Sequence, residues 1–196
     1  MTMITRASTL LLNVTASLTL MLVLCSVAAA FQTREHLTPP EIDLVKDAQV
    51  LDKRIDVFIK AADRRMLALG VADATSAKQV KKDSESWGDL PQGTRADLIG
   101  DIAGIFDEAI TNIDDVSLRD ENNPLIPKSL RKLAAAASRI VAQLKPAEAQ
   151  AKSDAELSNF DHLTENAEAI LQAANKLPPP VEKKGKGKTE KPNGSN

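Results

Sequence analysis

Tyrosine is missing from this 196-residue chain, aromatic residues of every kind make up 3% of it, and one cysteine, Cys25, is the only thiol. With Trp87 and four phenylalanines as the whole aromatic stock, the apolar residues are chiefly Ala, Leu, Ile and Val, which favours packed helices over a strand-rich fold. Nucleic-acid binding is set aside for the same reason, since no aromatic is interleaved with basic residues for base stacking. Histidine is nearly absent too: His36 falls at the start of the soluble body, and His162 points away from the apolar stripe of its helix, so neither suits a haem or metal inside a bundle. No phosphate-binding glycine loop, metal-ligand pair or Ser/His/Asp set is present. Ser129 and Lys132 match an S-x-x-K spacing, but the companion motifs of the serine enzymes that use it are missing. Asp114, Asp115, Asp120 and Glu121 crowd one turn without the glycine or spacing of a calcium loop. The sequence therefore predicts a protein that is not an enzyme and takes no cofactor.

What is present begins with residues 1–30. Arg6, an apolar run from Leu18 to Val27 and the triplet Ala28-Ala29-Ala30 read as an export signal cut after Ala30. Asn13, Thr15, Ser17 and Thr19 thin the run too much for a convincing span, and an uncleaved N-terminal anchor is the alternative. A lipoprotein box around Cys25 would want a small residue where Leu24 stands. Cleavage would remove Cys25, so the exported chain would have no disulfide and would stand on its core alone. The expected location is periplasmic or secreted.

Four segments of residues 31–177 carry helical periodicity. The first is expected over 38–69, with Thr38 as cap, Pro39 and Pro40 in the first turn and Gly70 as stop. Leu44, Ala48, Leu51, Ile55, Phe58, Ala62, Met66 and Leu69 form its main stripe, and Val50, Val57 and Ala61 a weaker one. Unbroken, it would be about 48 Å long. The second starts at Thr94, with Asp97 completing a short capping box, and buries Ile99, Ile102, Phe106, Ala109, Ile113 and Val116. The third starts near Pro127, buries Leu130, Leu133, Ala137, Ile140 and Leu144, and should end before Pro146. The fourth aligns Leu157, Phe160, Leu163, Ala167, Ile170, Ala174 and Leu177. The 70–93 connection is either a small extra helix or a functional loop, with Trp87 tucked over the bundle end. The expected fold is all-α: an elongated four-helix bundle with coiled-coil-like packing, an N-terminal signal helix and a disordered tail from residue 178 to 196.

Charge is unevenly spread. Residues 31–177 hold 19 basic and 25 acidic side chains, a net of −6, whereas the tail sets five lysines against Glu182 and Glu190 for +3. The acidic second helix and the basic third are expected to attract each other. Lys128, Lys132 and Arg139 lie close together on the side of the third helix away from its stripe. With Lys183, Lys184, Lys186 and Lys188 of the tail they are the candidate contact for an anionic partner, whether an envelope protein, an anionic polymer or lipid head groups. Gly100 and Gly104 form a G-x-x-x-G step opposite the second helix's stripe, on which the 70–93 loop or a partner is expected to pack.

Leu37-Thr38-Pro39-Pro40-Glu41, Asp47-Ala48-Gln49, Arg54-Ile55, Val57-Phe58-Ile59 and Ala61-Ala62-Asp63-Arg64 resemble uncharacterised exported helical proteins of environmental bacteria. Trp87-Gly88-Asp89-Leu90 and Asn112-Ile113-Asp114-Asp115 extend the likeness, which implies export and helices but no activity. Leu37-Thr38 and Leu163-Thr164 are also similar to the L-T-x-x-Q openings of small periplasmic helical chaperones, although neither has the Gln. A structural or interaction role in the bacterial cell envelope is thus the first expectation, and chaperone-like binding of unfolded envelope proteins the second.

Overall fold

The computed structural model describes residues 34–71 and 84–179. The export signal expected over residues 1–30, the 72–83 part of the connection and the lysines of the tail lie outside the described residues. Among the described residues the fold is all-helical, without a strand, in six helices: α1 (Pro39–Asp47), α2 (Leu51–Ala68), α3 (Ser84–Trp87), α4 (Arg95–Arg119), α5 (Leu125–Glu148) and α6 (Asp154–Asn175). None of them is long and apolar enough to cross a membrane.

The single 48 Å rod expected over 38–69 does not form. Nothing in Ala48-Gln49-Val50 is a strong helix breaker, yet Val50 is extended and the chain reverses there. The cause is tertiary. Glu41 of α1 lies 3.0 Å from Arg64 of α2, whereas 23 residues of continuous helix would hold them about 35 Å apart. Arg54 closes the break by donating from Nε to the Ala48 carbonyl, 3.0 Å away. At the far end Gly70 stops α2 as expected: its φ is +72°, and Val71 and Gly70 donate back to the Met66 and Leu67 carbonyls in a Schellman pattern.

Thr94 and Asp97 cap α4 reciprocally, at 3.2 and 2.8 Å. α5 differs from expectation at both ends. It begins at Leu125, whose N–H is taken by Asn123 Oδ1, so Pro127 falls in the first turn, where its missing N–H costs nothing. It also continues through Pro146 to Glu148. The carbonyl deprived of a donor there belongs to Ala142, which is exposed and so open to water.

Pairs of long-range contacts fix how the helices run. Arg54 meets Asn112 and Arg65 meets Asp101, so α2 and α4 are antiparallel. Asp52 with Lys128, Asp56 with Lys132 and Asp63 with Arg139 all share an offset of 76 residues, which makes α2 and α5 parallel and in register. Asn159 on Ala96 and Asn166 on Ala103 share an offset of 63, so α4 and α6 are parallel as well. The short 149–153 turn folds α6 back on α5. Consecutive helices α4 and α5 touch least among the long pairs, and α2 and α6 do not touch. Ile55, Phe58, Met66, Ile99, Ile102, Phe106, Leu133, Ile140, Leu144, Leu163 and Ile170 meet in one apolar core, each worth roughly 1.5–3 kcal/mol of burial.

Candidate interaction surface

The most heavily buried charges fasten α1 and the 36–38 segment before it to α2. Glu41 is fully buried and uses both oxygens: Oε2 accepts from the Thr38 N–H at 2.9 Å, and Oε1 accepts from Arg64 Nε at 3.0 Å and Arg65 Nη1 at 2.6 Å. Thr38 is the N-cap residue of α1, as expected, in a capping-box arrangement with Glu41, whose carboxylate on the Thr38 N–H is the close hydrogen bond of that turn. Arg64 Nη2 donates to the carbonyls of Trp87, Gly88 and Asp89, where α3 ends. Arg65 Nη2 donates to the His36 carbonyl at 2.6 Å, and its Nε lies 3.7 Å from Asp101. Two guanidinium groups face two carboxylates, so the cluster is neutral as a whole. Trp87 is buried, as expected, with Lys60 4.6 Å and the Arg64 Cζ 5.6 Å from its ring centre. Gly88, at φ +65°, carries the chain over Pro40, where a Cβ would lie 3.1 Å from that ring's Cγ.

Lys128, Lys132 and Arg139, read from the sequence as a strip facing water, do reach solvent, Lys128 and Arg139 being exposed, but all three also lie along the carboxylates of α2. Lys128 Nζ is 2.6 Å from Asp52, Lys132 Nζ is 2.6 Å from Asp56 and 3.3 Å from Asp52, and Arg139 Nη2 is 2.7 Å from Asp63. The expected attraction between the second and third predicted helices is therefore replaced by one between the first and third. Hydrogen bonding from Lys128, helped by Lys132 and by both charges, outweighs burial and holds the Asp52 carboxyl below its usual range. Burial works against the Lys132 ammonium, but its bonds to Asp56 and Asp52 and their charges prevail and raise it. Lys183, Lys184, Lys186 and Lys188, the remaining candidates for an anionic partner, lie outside the described residues.

The glycine step is occupied from within the chain. A Cβ on Gly104 would sit 3.0 Å from the His36 ring, and one on Gly100 2.9 Å from the Asn159 amide. His36 Nε2 reaches Glu108 at 2.8 Å. Asn159 and Asn166 donate to the Ala96 and Ala103 carbonyls at 2.8 and 3.0 Å. Neither contact comes from the described part of the 70–93 connection.

The exposed charges of α4 and α6 are chiefly acidic. α2 and α5 together carry ten basic and four acidic side chains, a net of +6, while α4 and α6 carry two basic and eleven acidic, a net of −9. Asp107, Asp114 and Asp115 of α4 and Asp161, Glu165 and Glu168 of α6 are all exposed. Two hollows lie at the Arg95 end of α4. One, of about 330 Å³, is walled by Leu69, Val71, Ile99, Leu144 and Pro146, and the other, of about 650 Å³, by Gln150, Lys152, Ser153 and Glu156. Arg95 borders both, 3.3 Å from Glu156 and donating to the Ala147 carbonyl. The second stripe of the first predicted helix offers no comparable groove: Ala61 is buried, Val57 packs on the core, and Val50 is exposed.

Glu41, Arg64, Arg65 and Asp101 were not legible as a site. The one signal was that Arg64 and Arg65 extend the stripe of Val57 and Ala61 by three and four residues, which places cations where apolar side chains would be expected. Comparison with known protein families, with curated proteins and with solved structures finds no match to this chain.

Proposed function

We propose that this chain is a non-catalytic, exported four-helix bundle with a structural or interaction role in the bacterial cell envelope, delivered by the residue 1–30 signal. The observation that carries this reading is the use to which the buried charges are put. Glu41, Arg64, Arg65 and Asp52 each tie one segment of backbone to another, so architecture accounts for groups that in an enzyme would be candidates for chemistry. The resemblance to exported helical proteins supports the same reading, as does the closed apolar core. The partner in this reading is an envelope component, and the cations of α5 serve the bundle before they serve a partner.

A chaperone-like binder is favoured by one feature, the hollow walled by Leu69, Val71, Ile99 and Leu144 with Arg95 at its border. An apolar cleft with a cation at its rim suits an extended apolar segment of a client.

Two measurements test the proposal. Fusion of residues 1–35 to a reporter active only outside the cytoplasm should give signal, and a silent fusion overturns export. Pull-down of the full chain from envelope extract should enrich a defined partner at low and at high salt. Suppression of a client's aggregation at near-stoichiometric ratios, abolished by Val71→Arg in a variant that keeps its helical circular dichroism, would replace the structural reading with the chaperone one.

A further inference from the structure

We infer that the segment of residues 36–38 is a pH-sensitive clasp, fastened to α4 while the His36 ring carries a proton and loosened when that proton leaves. Asp101, Gly104 and Glu108 follow one another at steps of three and four, so they share one face of α4. The missing side chain at Gly104 lets the imidazole lie against the helix: a Cβ there would be 3.0 Å from the ring's Cγ and 3.1 Å from its Nδ1. One turn on, Glu108 Oε2 is 2.8 Å from His36 Nε2. The two side chains are 32% and 36% exposed, so the ring exchanges protons with solvent from its seat.

The charges around the ring fall one proton short of balance. From α4 come Glu108 and Asp101, from α1 Glu41, and from α2 Arg64 and Arg65, the last of which holds the His36 carbonyl at 2.6 Å. Three carboxylates against two guanidinium groups leave −1, and near neutral pH His36 is the group of this set that can cancel it by taking a proton. Arg34 and Glu35, next to it in the chain, are exposed and of opposite sign. A protonated ring donates to Glu108 with charge on both partners, whereas a neutral ring donates only in its Nε2–H form and without charge. The clasp is therefore tightest at mildly acidic pH and is lost as pH rises through the titration of the imidazole, a change that falls between about pH 5 and 8.

The proton controls the segment and not the bundle. Residues 36–38 are held otherwise by Leu37, which is buried, and by the Thr38 N–H on Glu41, while Ile105 and Phe106 of α4 lie in the core. Loosening frees the entry of the chain into α1 and leaves the long helices packed. The clasp lies wholly within residues 36–108, so it stands whether or not residues 1–30 are an export signal.

The test is millisecond hydrogen–deuterium labelling of the full chain at pH 5.5 and 8.0, read by mass spectrometry as protection relative to the intrinsic exchange rate. Protection of a peptide spanning 37–42, whose Thr38 N–H is bonded to Glu41, should fall about threefold between the two pH values, the size of one half-exposed ion pair. The 102–109 stretch of α4 should keep its protection. His36→Gln still donates to Glu108 but takes no proton, and Glu108→Gln removes the carboxylate. Each variant should keep its helical circular dichroism and show a pH step below about 1.5-fold. Equal protection at both pH values in the native chain overturns the inference. So does a step that survives in both variants, or one that the 102–109 stretch shares in full, since that would report the stability of the whole bundle.

Discussion

Two parallel helix pairs in this protein are held in register by opposite means. Along α2 and α5 the register is set by charge, with Asp52, Asp56 and Asp63 meeting Lys128, Lys132 and Arg139 at one constant offset. Along α4 and α6 it is set by close approach: Gly100 leaves room for Asn159, and two asparagine amides donate to backbone carbonyls of the facing helix. The difference follows from composition. Both α4 and α6 are acidic, so a charged seam between them would repel, and neutral amides are the donors that can join them without adding charge. Parallel neighbours gain nothing from opposed helix dipoles, which makes a specific side-chain register necessary in both pairs.

The largest effect is expected where charge on α2 is fully dried. Glu41→Ala would leave Arg64 Nε and Arg65 Nη1 without their carboxylate in a buried site, and the loss of a partner in such a setting costs about 3–5 kcal/mol. Denaturant unfolding should show that loss, and Glu41→Gln, whose amide oxygen still accepts, should recover part of it. A change below about 1 kcal/mol for the alanine variant would mean that α1 is not anchored by this cluster.

The charged seam comes next, through pH. Asp52 is held below its ordinary value near 3.8, so the stability it contributes is fully present above that value and is lost as pH falls through and below it. Lys132 is raised above 10.5, so its contribution is present below 10.5 and fades at higher pH. Thermal unfolding from pH 7 down to 2.5 should therefore show a drop in melting temperature below about pH 4 that is reduced in Asp52→Asn. Equal acid sensitivity in both proteins would remove Asp52 from the seam's energetics.

The amide seam should respond differently to salt. Asn166→Ala removes one hydrogen bond to the Ala103 carbonyl, worth about 1 kcal/mol and unchanged between 0.05 and 0.5 M NaCl. Asp52→Asn, by contrast, should become less costly as salt screens the half-exposed lysines. The same salt response in both variants would collapse the distinction between the two seams.

How much of this was visible in the residues differs by element. The helices α4 and α6 could be read from their stripes, and the ends of α4 and α2 from Thr94 and Gly70, because caps and periodicity are local properties. The break at Ala48-Gln49-Val50 was not legible: the local sequence is helix-compatible, and the reversal is imposed by Glu41 meeting arginines 23 residues later. The run of α5 through Pro146 was misread because its cost depends on whether the deprived Ala142 carbonyl faces water. Lys128, Lys132 and Arg139 were correctly placed on one face of their helix, but periodicity does not tell which neighbour that face meets. Gly100 and Gly104 did announce a close approach, while its occupants, Asn159 and His36, come from distant parts of the chain.

The finest distinction concerns Gly100 itself. On an isolated helix, Gly100→Ala should stabilise by about 1 kcal/mol through propensity. Here the new Cβ would lie 2.9 Å from the Asn159 amide, which in turn is fixed 2.8 Å from the Ala96 carbonyl, so the gain is offset by a displaced hydrogen bond of similar size. In the native background the substitution should be close to neutral or mildly destabilising. In an Asn159→Ala background the obstruction is gone, and the same change should stabilise by about 1 kcal/mol. The coupling energy from that double-mutant cycle isolates the glycine–amide contact from helix propensity, which is common to both backgrounds. If Gly100→Ala stabilises equally with and without Asn159, the glycine does not make room for the amide, and the α4/α6 register rests on Asn166 and the apolar core.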